Sequence, residues 1–131
     1  MKRAAEFSGV FAIGGCIYAA IEIAFRGYTH WSMFIVGGLC FVGMYAVALS
    51  HEPLWKKWVM GTSIILALEF EAGLLLNIVL GWNIWDYSEY RFNLYGQICL
   101  RFAFCWLALC IPGNALCTFL HNRLFTEQAR R

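Results

Sequence analysis

Glu22, Glu69, Glu71 and Arg101 each interrupt a long apolar run. An ionisable group inside a membrane span costs about 2.5–3.5 kcal/mol on insertion scales, so each of them needs a partner, water or a proton. Three carboxyl groups against one arginine leave an excess that must be protonated, reach water or meet a cation, and each of those is a working state for transport. Asn77 and Gln97 add amides to the same runs, and Asp86 and Asn93 stand in the polar segment 85–101, WDYSEYRFNLYGQICLR. Glu22, Glu69, Asn77, Gln97 and Arg101 beneath Asp86 and Asn93 read as an outward-facing polar cavity for a cation, a proton or a small polar solute. The bland alternative is structural. Arg101 then neutralises one glutamate, while Asn77 and Gln97 complete a hydrogen-bond network worth about 1 kcal/mol per contact between membrane helices.

For these side chains to meet, helices must carry them to matching depths. At about 1.5 Å per residue, Glu22, Asn77 and Arg101 fall roughly 5–10 Å below the outer boundary and Glu69 about 18 Å below it, near the midplane. In the third run Glu69, Ala72, Gly73, Leu76, Asn77 and Leu80 share one broad face by three-and-four spacing, which predicts that this face looks into the bundle. Glu71 is turned about 200° from Glu69, so it is expected at a subunit contact or protonated near lipid. In the first run Gly15, Tyr18, Ala19 and Glu22 form a similar stripe, and Glu22 also reaches Arg26 at i+4.

The composition fits a chain that stays in a bilayer. Of 131 residues, 61% are hydrophobic and 14% charged, and the mean hydropathy is +0.62, outside the balance of soluble domains. One span takes roughly 20 apolar residues, so these 131 residues are expected to hold four spans, with no room among them for a nucleotide-binding domain. The expected fold is an all-α integral membrane protein, a single domain over 1–131, with four transmembrane helices at roughly 7–25, 31–49, 58–81 and 94–120. RGYTH at 26–30 and HEPLWKK at 51–57 are expected as loops, and Pro112 with Gly113 is expected to kink the last helix or end its regular part early. The first run is expected to be a retained helix rather than a signal peptide, because Glu22 and Arg26 close it without a small-residue cleavage site.

Lys2, Arg3, Lys56, Lys57, Arg123, Arg130 and Arg131 fall on one side of this arrangement, and only Arg26 and Arg91 in the opposite loops. Both termini are therefore expected in the cytoplasm and the 85–101 segment outside. Trp31, Trp55, Trp58, Trp82 and Trp85 stand near the predicted helix ends, at headgroup level. The net charge of +2 is modest, and no nucleic-acid surface is indicated. The six cysteines all lie in apolar runs without metal-ligand spacing and read as small hydrophobes. His30, His51 and His121 lie near different boundaries and cannot form one metal site. Gly14, Gly15, Gly37, Gly38 and Gly43 read as close-contact positions between helices.

Residues 68–106, LEFEAGLLLNIVLGWNIWDYSEYRFNLYGQICLRFAFCW, resemble the ABC-transporter type IV family, also called CmpB-like, of small bacterial membrane proteins and related vertebrate transmembrane proteins. The resemblance rests on Glu69 in an apolar helix, then Trp85, Asp86, Tyr87 and Ser88, then Asn93 with Leu94, Gly96, and the helix start at Ile98, Cys99 and Leu100, with Trp106 beyond. Glu22 and the Arg26 and Gly27 pair fit the first half, whereas YTHWSMFIVGG stands where many members carry a GPxCPxYG-like stretch. The resemblance implies a multi-pass protein of the bacterial cytoplasmic (inner) membrane and a permease-like role. No ATPase motif occurs, so an ATP-driven role would require another chain.

The leading expectation is a permease-like or channel-like protein in contact with the lipid bilayer, homo-oligomeric because four short helices enclose little volume. Glu69 and Glu22 would be its charge-bearing ligands, Arg101 their tuning partner, and Asp86 with Asn93 the gate. The 85–101 segment is expected as a lid and brace, with Asp86 and Asn93 capping helix ends. A membrane-embedded enzyme acting on a lipid-linked substrate, with Asp86 or Glu69 as general base, ranks lower for want of a nucleophile and histidine pair or a metal cluster. A structural or regulatory subunit of a membrane complex is the third reading. No motif identifies a cofactor.

Overall fold

The computed structural model describes residues 2–125. Its helices are α1 (Lys2–Arg26), α2 (Trp31–Ala48), α3 (Leu54–Gly73) and α4 (Leu100–Leu120), and four segments are long and apolar enough to cross a membrane. The chain is an all-α integral membrane protein. A π-helical turn, Leu74–Val79, prolongs α3, and another, His121–Phe125, prolongs α4. Between α3 and α4 runs an antiparallel pair, β1 (Asn93–Leu94) and β2 (Ile98–Cys99), with Asn93 opposite Cys99 and Leu94 opposite Ile98. Arg130 and Arg131, counted above for orientation, lie outside the described residues.

Several boundaries differ from the expected ones. The third helix starts at Leu54 rather than near Trp58, because Pro53 occupies its N-cap, where its missing N–H costs nothing. Lys57 is consequently helical, and its ammonium donates to the Ala48 carbonyl at 2.7 Å, placing a positive charge on the carboxyl end of α2. The fourth helix starts at Leu100 rather than near Leu94, since residues 93–99 are held as a strand pair. α4 also does not end at Pro112. A proline removes one backbone donor, and the dent beside it is filled: a Cβ on Gly113 would lie 2.6 Å from Met44 Sδ.

α2 lies at the centre, with 61% of its span buried against 17% for α1 and 22% for α4. The main core joins Val10, Phe41, Met44, Tyr45, Ile65 and Cys110 from all four helices. α1 approaches α2 to the limit that backbone allows: a Cβ on Gly14 would stand 2.2 Å from Phe41 Cβ, and one on Gly37 would stand 2.3 Å from Tyr18 Cβ. The glycines thus serve the close contact expected of them. α1 ends at Gly27, whose positive φ of 81° lets its N–H turn back to the Ile23 carbonyl. α2 then starts from His30, whose Nδ1 accepts from Ser32 N–H.

Candidate functional site

Of the face that the spacing predicts on α3 and the turn prolonging it, Glu69, Gly73, Leu76 and Asn77 are buried and Ala72 is half-buried, while Leu80 is exposed instead of facing the bundle; Thr62 and Ile65 carry the buried stripe further back along α3. Glu69 is 3% exposed. Its Oε1 accepts from the Tyr87 hydroxyl at 3.2 Å and its Oε2 from Trp106 Nε1–H at 3.1 Å. Trp106 stacks in turn on Tyr18 of α1, with centroids 5.7 Å apart. Tyr87 belongs to the 85–101 segment, so this segment dips into the bundle as far as Glu69, in the last turns of α3. It is more than the rim lid that the sequence suggests: Ile84 and Trp85 are 8% and 7% exposed. Burial, and then the facing Glu69 carboxylate, push the Tyr87 phenol well above its usual range, so it stays a neutral hydroxyl.

Irregular backbone at membrane depth survives only where its polar groups are satisfied inside the protein. Asn77 does most of this. Its Oδ1 accepts from the Ile84 N–H at 2.7 Å and, more weakly, from the Trp85 N–H at 3.4 Å, and its Nδ2 donates to Gln97 Oε1 at 2.8 Å. Gln97 then donates to the Tyr95 carbonyl, and its own carbonyl accepts from Trp85 Nε1–H at 2.9 Å. Gly73 makes room for this docking, because a Cβ there would lie 2.4 Å from Gln97 Oε1 and 3.0 Å from the Trp85 ring. Glu69, Asn77 and Gln97 are therefore packed against protein groups rather than spread around open space.

Glu22 and Arg26 form an ion pair at 2.7 Å, and Arg26 Nη1 donates to the Ile84 carbonyl at 2.7 Å, which fastens α1 to the dipping segment. Arg101 is not brought to the glutamates. It stands exposed in the first turn of α4, its guanidinium 5.4 Å from the Tyr90 ring centroid. Its spacing explains this: Arg101 is five residues from Trp106, or about 140° round the helix from the face that meets Glu69. Glu69 has no cationic partner among the described residues. Glu71 lies on the exposed face of α3, as its rotation from Glu69 predicts.

Asp86 and Asn93 shape the segment rather than cap a helix. Asp86 is exposed and accepts from the Ser88 N–H at 2.9 Å. Asn93 donates to the Tyr90 carbonyl at 2.8 Å and accepts from the Gly96 N–H at 2.9 Å. Gly96 takes a φ of 71°, and its carbonyl accepts from Tyr87 N–H at 2.7 Å. The Ser88 N–H holds the Asp86 carboxyl below its usual range. A depressed carboxyl contributes stability above its unfolded value and loses it as pH falls through the folded one. The protection of the Ser88 amide, relative to its intrinsic exchange rate, is therefore expected to fall below about pH 4. Asp86→Asn, which keeps the acceptor, should remove this pH dependence in amide-exchange measurements.

A second polar cluster, which the sequence reading missed, lies near the opposite ends of α1 and α4. Tyr45, fully buried in α2, donates to the Glu6 carboxylate, and His121 Nδ1 lies 2.9 Å from the Tyr45 oxygen and 3.1 Å from Glu6 Oε1. The sequence-level signal for it, and for Trp106 and Tyr87, was the single polar atom of a buried aromatic, which needs a partner when its ring is inside. Among the described residues no group of three or more His, Cys, Asp or Glu could hold a metal ion.

A family model described as Putative ABC-transporter type IV matches residues 7–130 of the chain. No curated protein and no solved structure matches it.

Proposed function

The chain belongs to the Putative ABC-transporter type IV family, and we propose that it acts as a small permease-like protein whose exchangeable group is Glu69. One observation carries this reading: a carboxyl group 3% exposed, bound by two neutral donors, with no cation beside it among the described residues. Trp106 can only donate, so it holds Oε2 in either charge state. The Tyr87 hydroxyl donates to Oε1 when Glu69 is charged and accepts from it when Glu69 is protonated. Glu69 can thus gain or lose a proton without displacing a heavy atom. This favours a proton over a bulkier cation or solute, for which the closed arrangement of Asn77 and Gln97 leaves little room.

Tyr87 stacks on Phe102 at 4.8 Å, so the state of Glu69 is felt by the 85–101 segment, which we assign as the gate. Glu22, Asn77, Asp86, Asn93 and Gln97 hold that gate in place. The reading includes both termini in the cytoplasm, on the positive-inside pattern, and a bacterial inner-membrane location, on the family resemblance. It also includes a homo-oligomer, in which the exposed Glu71 of α3 meets a second copy. An enzyme using Asp86 has less support, because that carboxylate is engaged by Ser88 N–H.

Glu69→Gln tests the proposal without dismantling the site, since an amide can accept from Trp106 and donate to the Tyr87 oxygen. Acidification should raise a protonated-carboxyl band in the infrared spectrum of both proteins, because the other acidic side chains remain, and the wild type should carry one component that Glu69→Gln lacks. Proteoliposomes carrying the wild type should dissipate an imposed pH gradient, and those carrying Glu69→Gln should match protein-free liposomes. Identical carbonyl bands in the wild type and the folded variant, or equal dissipation by both proteins, would overturn the reading.

A further inference from the structure

Beside the start of α4 a surface cleft of about 290 Å³ is lined by Tyr90, Arg91, Phe92, Leu100, Arg101 and Phe104. It lies apart from Glu69, round the helix from Trp106. Neither Arg91 nor Arg101 forms an ion pair among the described residues, whose ion pairs are those of Glu22 with Arg26, Glu52 with Lys56, and Glu6 with His121. Around these two arginines the surface is strongly apolar: Phe92, Phe104 and Leu100 are 79%, 62% and 47% exposed. Two unpaired guanidinium groups among exposed aromatic and aliphatic side chains suit neither water nor hydrocarbon alone. They suit the boundary between them, where an anionic headgroup sits above its acyl chains.

We propose that this cleft binds an anionic phospholipid of the leaflet at the 85–101 end, with Arg91 and Arg101 on the phosphate and Leu100, Phe92 and Phe104 against the upper acyl chain. The guanidinium fork matches two phosphate oxygens, and Tyr90 holds Arg101 in place by its ring. A cation in the first turn of α4 opposes the helix dipole, and Cys99 offers no side-chain cap there, so a bound phosphate also offsets an unfavourable arrangement within the chain. A free inorganic anion would satisfy the arginines but leave Phe92 and Phe104 in water. A carboxylate from a second copy would answer only one of the two guanidinium groups. The lipid accounts for both features of the cleft.

The full chain, delipidated in detergent and titrated with phosphatidylglycerol, should bind it at least tenfold more tightly than phosphatidylcholine by native mass spectrometry. The preference should weaken with salt. Arg91→Gln combined with Arg101→Gln should abolish the preference while leaving the circular dichroism and the oligomeric state unchanged, because both side chains are exposed. Arg101→Lys should retain part of it. Equal binding of the two lipids by the wild type overturns the proposal whatever the variants do. So does an unchanged preference in the folded double variant, full competition by millimolar inorganic phosphate, or loss of the preference only together with dissociation of an oligomer. The lipid test reads a headgroup preference and the Glu69 test a proton flux, so either can fail while the other stands.

Discussion

Asn77→Leu is expected to destabilise the protein by about 3 kcal/mol or more, because it leaves two or more buried polar groups without partners at about 1–3 kcal/mol each. The groups are the Ile84 N–H and Gln97 Oε1, with the Trp85 N–H more weakly held. Leucine keeps the branching of asparagine but is larger, so overpacking adds to the loss of hydrogen bonds. In detergent micelles the unfolding midpoint should fall, and protease should cut the 85–101 segment at concentrations that spare the wild type. Asn77→Asp should fall between the two. A carboxylate still accepts from Ile84 N–H, but it faces Gln97 Oε1 oxygen to oxygen. Rotating the Gln97 amide to relieve that contact would give up its bond to the Tyr95 carbonyl. A leucine variant as stable as the wild type would show that the segment is held by its apolar contacts alone.

The helices were legible because their cause is spread over many residues. Hydropathy sums over about twenty positions, so one misplaced residue at Pro53 or Leu94 moves a boundary and leaves the helix standing. The inward face of α3 was legible for the same reason, since Glu69, Gly73, Leu76 and Asn77 repeat its period. What the sequence did not disclose was pairing across the chain. Arg101 was assigned to the glutamates on charge alone, yet Trp106 is the α4 residue that meets Glu69, and Arg101 lies five residues from it on another face. The arginine that does reach a glutamate, Arg26, was visible through its i+4 spacing, whereas its second bond, to the Ile84 carbonyl, spans 58 residues and follows only from the fold. Glu6, Tyr45 and His121 come from three separate segments, and no spacing rule connects them.

The dipping segment ties these results together. It is fixed from three sides: by Asn77 and Gly73 on α3, by Arg26 on α1, and by Gln97 and Asn93 within itself. Tyr87 then reaches Glu69 from a braced backbone, which favours a hydroxyl whose bond can reverse over one that swings away. That is why the amides are better read as positioning groups, and why the proposed proton chemistry rests on the carboxyl that Tyr87 and Trp106 hold.

Gly37→Leu should be as damaging as Asn77→Leu, by a different route, costing about 3 kcal/mol through overpacking that no rotamer can relieve. The contact a side chain would make is with Tyr18 Cβ at 2.3 Å, not with the far end of a flexible group. Truncating Tyr18 to alanine keeps that Cβ, so Tyr18→Ala should fail to rescue Gly37→Leu. The only relief is for α1 to move off α2. α1 carries Glu22 and Arg26, so its displacement also withdraws the Arg26 bond from the Ile84 carbonyl and the Tyr18 ring from Trp106. The variant should therefore show two effects at once: a lower unfolding midpoint, and a change in Trp106 fluorescence that a Trp106→Phe background removes. Cys16→Leu, on the exposed face of the same helix, should change stability by no more than about 0.5 kcal/mol. If Gly37→Leu proved as mild as Cys16→Leu, α1 would be a loosely held helix, and its part in anchoring the segment above Glu69 would have to be given up.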